Sequence, residues 1–169
     1  PELLAQGGQL AVLGGGEADL EAGFGAAARD HPSRVGCRIG YDEGLAHLVQ
    51  GGADMVVAPS RDEPCGLVQL VGLRYGTIPI VARVGGLADT VVDANEAALA
   101  DGVATGFQFA PVEAWALAAA MRRAVEVYRR PEAWGRLVAR AMTREVGWDR
   151  AARRYLELHR GLLVARAAG

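Results

Sequence analysis

The sequence contains no lysine; all 18 of its basic residues are arginine. Genomic base composition favouring arginine codons is the plain explanation, but the absence has a chemical consequence. Neither a Schiff-base lysine nor a Walker lysine exists in this chain, so aldolase-type and P-loop chemistry are excluded for it. Cysteine is scarce as well: Cys37 and Cys65 stand alone in 169 residues. They make no CxxC or metal-ligand spacing, so no metal and no redox motif is expected. Two free thiols fit a reducing cytosol. No apolar run approaches the ~20 residues of a membrane span. No charged-then-apolar leader opens the chain. The first residue is proline rather than methionine, which reads as a trimmed piece of a longer protein. Disulfide-rich, collagen-like, disordered and transmembrane classes are thereby set aside.

What is present suits a globular domain, or the larger part of one. Of the 169 residues 51% are apolar and 22% charged, with a formal net charge of −2. That length buries a core without staples. The charge is unevenly placed. Residues 1–110 carry 6 arginines against 14 acids, and residues 111–169 carry 12 arginines against 6 acids. The late arginines alternate with alanine, leucine and glutamate at helical spacing, the mark of a solvated face. Neither nucleic acid nor a membrane is expected as a partner.

Short apolar runs alternate with helix-like segments over the first 95 or so residues. Strands are predicted at 9–13, 35–39, 54–58 and 78–82, with Pro79 placing the last near a strand end or edge. Helices are predicted at 17–29, 42–49, 66–75 and 87–92, several of them stopped by glycine. This alternation implies a parallel sheet with flanking helices, a Rossmann-like α/β fold. The remainder reads as helices. One carries a stripe of Trp115, Leu117, Ala118, Met121, Val125 and Tyr128, the next starts at Pro131, and the last runs from Asp149 to Ala165. Residues 1–110 therefore form the α/β region, and 111–169 the C-terminal helices of the same domain.

Parallel sheets bind ligands at the carboxyl ends of their strands, so the turns there hold the candidate site. Gly14-Gly15-Gly16 fails the dinucleotide pattern at Asp19, and a tight turn is the better reading. The stretch Pro59–Leu67 leaves a strand and opens a helix at Gly66. Bare N–H groups at such a helix start favour an anion such as phosphate. Glu63 would sit beside that anion without touching it, placed to accept sugar hydroxyls or to stabilise positive charge on a sugar ring. Tyr41, after Gly40, can stack on a base or close the core edge; the residues alone favour the core edge.

Ile39–His47 (IGYDEGLAH), Gly51–Asp93 (with PSRDEPCGL and RVGGLADTV) and Ala104–Phe109 (ATGFQF), taken in order, resemble the C-terminal domain of bacterial glycogen synthase and plant starch synthase. Gly147-Trp148-Asp149 extends the likeness into the last helix. The resemblance implies one half of a GT-B glycosyltransferase, with its first strand–helix unit and its amino-terminal acceptor domain missing. It implies transfer of glucose from ADP-glucose to the non-reducing end of an α-1,4-glucan with retention, in the bacterial cytoplasm and without a cofactor. By position, Tyr41 would stack on adenine. The backbone of Cys65, Gly66 and Leu67 would hold phosphates and glucose. Glu63 would support the oxocarbenium-like transition state, and Gly85 and Gly86 would shape the neighbouring turn.

Three departures from the family pattern stand out: Asp62 in place of an aromatic, Val68 in place of a threonine, and no tyrosine near Val71. Two-glutamate relatives carry a second acid at the position of Val71, which argues against that group. A UDP-glucose enzyme and a non-catalytic nucleotide- or glucan-binding module stay as alternatives. The family's basic diphosphate clamp also lies outside this sequence, so the chain alone is expected not to catalyse. Trp115, Trp134 and Trp148 read as core, His31 and His159 as solvent-facing, and His47 as packing or capping. The last helix is expected to expose an apolar stripe.

Overall fold

The computed structural model describes residues 2–168. Its elements in chain order are α1 (Glu2–Ala5), β1 (Leu10–Gly14), α2 (Ala18–Asp30), β2 (Val35–Ile39), α3 (Glu43–Gly52), β3 (Met55–Ala58) and α4 (Val68–Tyr75). There follow β4 (Ile78–Ala82), α5 (Gly85–Thr90), α6 (Glu96–Ala100), β5 (Phe107–Phe109), α7 (Ala114–Tyr128), α8 (Pro131–Met142) and α9 (Trp148–Ala168). Local chemistry sets several of the boundaries. Asp42 caps α3 by accepting the Leu45 N–H at 2.9 Å. Gly76, at φ +81°, ends α4 in the left-handed region. Pro131 opens α8, where its missing N–H costs nothing.

All strand pairs are parallel, but they fall into two sheets rather than one. β1 pairs with β2 (Leu10↔Val35 through Gly14↔Ile39), and β4 lies between β3 and β5. No ladder joins β1 to β3 among the described residues. The parallel strands and flanking helices are those of the expected Rossmann-like α/β fold. In the doubly wound order 3-2-1-4-5-6, the observed strands take positions 3-2 and 4-5-6. Among the described residues, each sheet thus has an edge that no strand pairs.

The core lies in the second half. β4 is buried along its whole length. Leu73, Ile78, Ile80, Phe107 and Phe109 pack with Ala116, Ala120, Ala124 and Leu137 from α7 and α8. A smaller cluster joins Ala58, Val81, Leu87 and Val91, with Val68 packed against it. Of the two placements suggested by Pro79, the strand end holds, since Pro79 is the second residue of β4, and the edge does not, since β4 is the central strand of three. Pro79 lies ahead of the β4–β5 ladder, which starts at Ile80, and a missing N–H is tolerated there.

The buried face of α7 also differs from the predicted stripe. Ala116, Ala120, Ala124 and Val127 face inward, while Trp115 and Tyr128 stand exposed. Small side chains let the helix lie close to the β4–β5 layer, so bulk is displaced to the flanks. Trp148 is exposed as well, and Trp134 is half-buried. β5 and α6 lie outside the sequence-predicted elements. At three and five residues they are too short to show a period.

Candidate active site

Two turns meet at the carboxyl ends of β3 and β4. In the first, the chain runs from Pro59 to Leu67 and enters α4. The helix opens at Val68, two residues later than the sequence suggests. Gly66 precedes the cap with φ +71°, a conformation glycine adopts without strain. Its N–H donates to the Glu63 carboxylate (Oε1) at 3.0 Å. Glu63 therefore caps the turn directly instead of standing clear of it. The N–H groups of Leu67, Val68 and Gln69 have no acceptor in the chain among the described residues. They form the positive end of α4.

The second turn follows β4. Arg83 anchors it through its backbone N–H to Phe109 O (2.9 Å) and its side chain to Gln108 Oε1 (3.1 Å). Gly85 and Gly86 then start α5. The Gly86 N–H donates to the Glu63 carbonyl at 3.0 Å, which ties the two turns together. A Cβ on Gly85 would overlap the Glu63 carbonyl oxygen, and one on Gly86 would overlap that of Cys65. Glycine is required here by the approach of two backbones. Glu63, Cys65, Gly66, Leu67, Gly85 and Gly86 are thus brought together in one place.

Tyr41 is not part of that cluster. It follows β2 in the other sheet and is 88% exposed. The core-edge reading is therefore wrong, and the ring is free to stack. At the Gly14–Gly16 turn, Gly14 O accepts the Gly40 N–H, and the Gly16 N–H donates to Glu21 Oε1 at 2.8 Å. His47 Nδ1 lies 3.0 Å from the Tyr75 hydroxyl, and His31 and His159 are exposed. Away from the site, the Asp54 carboxylate and partial burial hold the Tyr128 phenol above its usual pKa. Among the described residues, no group of three or more His, Cys, Asp or Glu side chains is placed to hold a metal. Nor is any described helix long and apolar enough to cross a membrane.

Residues 9–139 match the family described as glycosyl transferases group 1. The chain belongs to this family. It is 55% identical to a glycogen synthase of Mesorhizobium japonicum over 98% of this chain and 34% of that protein. It is 56% identical to a glycogen synthase of Roseobacter denitrificans over 96% of this chain and 34% of that one. The catalytic domain of Arabidopsis thaliana starch synthase IV, solved with ADP and acarbose, superposes with a TM-score of 0.81. That match is 33% identical and covers 92% of this chain and 32% of the plant chain. This glycosyl transferase chain thus spans about a third of the length of the curated relatives it matches.

The departures from the family pattern also have places in the structure. Val68, in the threonine position, packs against the cluster of Ala58, Val81, Leu87 and Val91. Asp62 is exposed and Val71 half-buried. Two polar residues of this site escape a motif reading, Gln69 and Thr90. The signal for the first is an amide standing alone in the apolar run Gly66–Leu73, where a fully buried side chain would otherwise be a hydrocarbon.

Proposed function

We propose that this chain is the donor-binding part of a bacterial glycogen synthase. The full enzyme moves glucose from ADP-glucose to the non-reducing end of an α-1,4-glucan with retention, in the cytoplasm. The observation that carries this reading is the lock between the two turns, which holds Glu63 beside the free N–H groups of α4. The identity to glycogen synthases and the superposition on a starch synthase bound to ADP support the choice of substrate.

The roles follow from charge. The donor's phosphates take the N–H groups at the start of α4, where the helix dipole favours negative charge. A phosphate and the Glu63 carboxylate repel each other and cannot share the Gly66 N–H. Donor binding therefore turns the carboxylate away from Gly66 and toward the sugar. There it accepts sugar hydroxyls and stabilises positive charge developing on the ring. The exposed Tyr41 ring closes over adenine when the sheets carry the nucleotide between them.

The unpaired edges of β1 and β3 accommodate a further strand–helix unit of the parent protein, which brings the basic diphosphate clamp. An amino-terminal domain supplies the acceptor. Without them the chain neither excludes water nor orients a glucan, so alone it transfers nothing. Glucan extension by the pure chain would contradict this.

Calorimetric titration with ADP and with UDP tests the reading. ADP is expected to bind more tightly than UDP, and Tyr41→Ala and Gly66→Val are each expected to abolish binding. Failure of both nucleotides to bind, even with the basic segment restored, would overturn it. Val68 favours a second reading, a binding module without transfer activity. Its apolar side chain offers no hydroxyl to a phosphate, at a cost of ~1.5–3 kcal/mol for one charged hydrogen bond. ADP binding without glucose transfer in the full-length protein would establish that alternative.

A further inference from the structure

We propose that Gln69 and Thr90 are positioning residues that set the distance between the two turns of the donor site. The significance for catalysis rests on the donor-site reading given above; the geometry does not. Gln69 is fully buried in the first turn of α4. Its amide nitrogen donates toward Cys65 O at 3.0 Å, Gly66 O at 2.9 Å and Thr90 Oγ1 at 3.1 Å. The Thr90 hydroxyl in turn donates to Gly86 O at 2.6 Å. A continuous chain of hydrogen bonds thus runs from the carbonyls of the first turn, through two side chains, to the carbonyl of the second.

The direction of that chain is determined. Thr90 has a single hydrogen, and Gly86 O takes it, so Thr90 accepts from Gln69. All partners around the Gln69 nitrogen are acceptors, so the NH₂ end of the amide must lie there. Its oxygen is left buried without a partner. A buried orphan acceptor is destabilising. The amide's placement is explained by what the nitrogen does, not by a balanced network.

No other side chain substitutes well. Asparagine is too short to reach the same carbonyls from the helix. Glutamate would present an acceptor to acceptors, and a buried arginine would add an unpaired charge. Leucine or methionine fills the space and drops every bond. The brace works beside the backbone bond from the Gly86 N–H to Glu63 O, on the same pair of turns. Without it the Gly85–Gly86 backbone is free to move away from Glu63, and the carboxylate loses its fixed place beside the α4 donors.

Amide hydrogen exchange, followed by NMR on this chain with no ligand added, tests the brace. The variants are Gln69→Leu, Thr90→Val, the double variant and Thr90→Ser. The Gly86 amide reports the junction between the turns. The Gln108 amide, which donates to Asp93 Oδ1, reports the rest of the sheet. Protection of Gly86 is expected to fall ~10-fold or more in each single variant and no further in the double variant. Gln108 should hold its protection, and Thr90→Ser should hold that of Gly86. Equal loss at Gly86 and Gln108 would show general destabilisation and overturn the proposal. So would additive losses in the double variant. A Gln69→Leu chain too unstable to study leaves Thr90→Val against Thr90→Ser as the deciding pair. ADP titration of the same proteins then adds the functional arm: weaker binding in Thr90→Val, restored in Thr90→Ser. If ADP fails to bind even with the basic segment restored, the donor-site reading fails while the exchange result still decides the brace.

Discussion

At the scale of single residues, the site depends on one carboxylate and on three glycines that nothing larger replaces. Glu63 does two things, accepting the Gly66 N–H through its side chain and the Gly86 N–H through its carbonyl. Glu63→Gln keeps an acceptor for Gly66 and loses the charge. Glucose transfer by the full-length protein is expected to fall ~10²–10³-fold, while urea denaturation shows little change in stability. Retention of full activity would remove Glu63 from the chemistry. Gly86→Ala, by contrast, must push the turns apart to relieve its overlap with Cys65 O. A loss of ~1–3 kcal/mol in urea denaturation is expected, with weaker nucleotide binding. These positions are legible in the sequence because the pattern of glycine, proline and acid at strand ends carries a mechanism. Gln69 and Thr90 are not, because their role exists only when two turns distant in sequence lie against each other; the two side chains are 21 residues apart.

At the scale of elements, glycine stops could be read and helix rotation could not. Asp42 stands where a helix start needs an acceptor, and it caps α3. Asp42→Ala is expected to cost ~1 kcal/mol by the same denaturation measurement. The rotation of α7 depended on what it met. A stripe containing Trp115 and Tyr128 is as periodic as the alanine face, and periodicity alone does not say which of two adjacent faces is buried. The alanines won because they allow close approach to the sheet. Ala124→Leu is therefore expected to destabilise by ~1–3 kcal/mol through overpacking. Trp115→Ala, on an exposed side chain, should change stability by no more than ~0.5 kcal/mol. The reverse order of these two effects would refute the observed rotation.

At the scale of the whole molecule, the distribution of burial is uneven. β4 is covered on all sides, whereas the apolar side chains of β1 and β2, the buried Val35 apart, are only half covered or exposed. Parallel strands of this composition are ordinarily buried on both faces. The last helix shows the same shortfall: Tyr155, Leu158 and Leu162 are exposed along α9, as the sequence reading anticipated, and so is Trp148, which that reading placed in the core. Uncovered apolar surface on this scale promotes association. The isolated chain is expected to self-associate with rising concentration in sedimentation velocity. The double substitution Leu158→Arg and Leu162→Arg should restore a single slow species. A monomer at all concentrations would show that α9 is not adhesive.

The strand–helix alternation through α5, the parallel pairing and the turns that bear the candidate site were legible in the sequence, because strand–helix alternation and strand-end glycines act locally. The family likeness pointed to the same turns. Three features were decided by the tertiary structure. The sheet divides between β1 and β3, since no strand among the described residues pairs either edge. Glu63 occupies a donor at the start of α4, since the turn's left-handed glycine aims that N–H at it. The two turns are braced by a buried amide and a hydroxyl, since hydrogen bonds between side chains distant in sequence form only after the backbones have met.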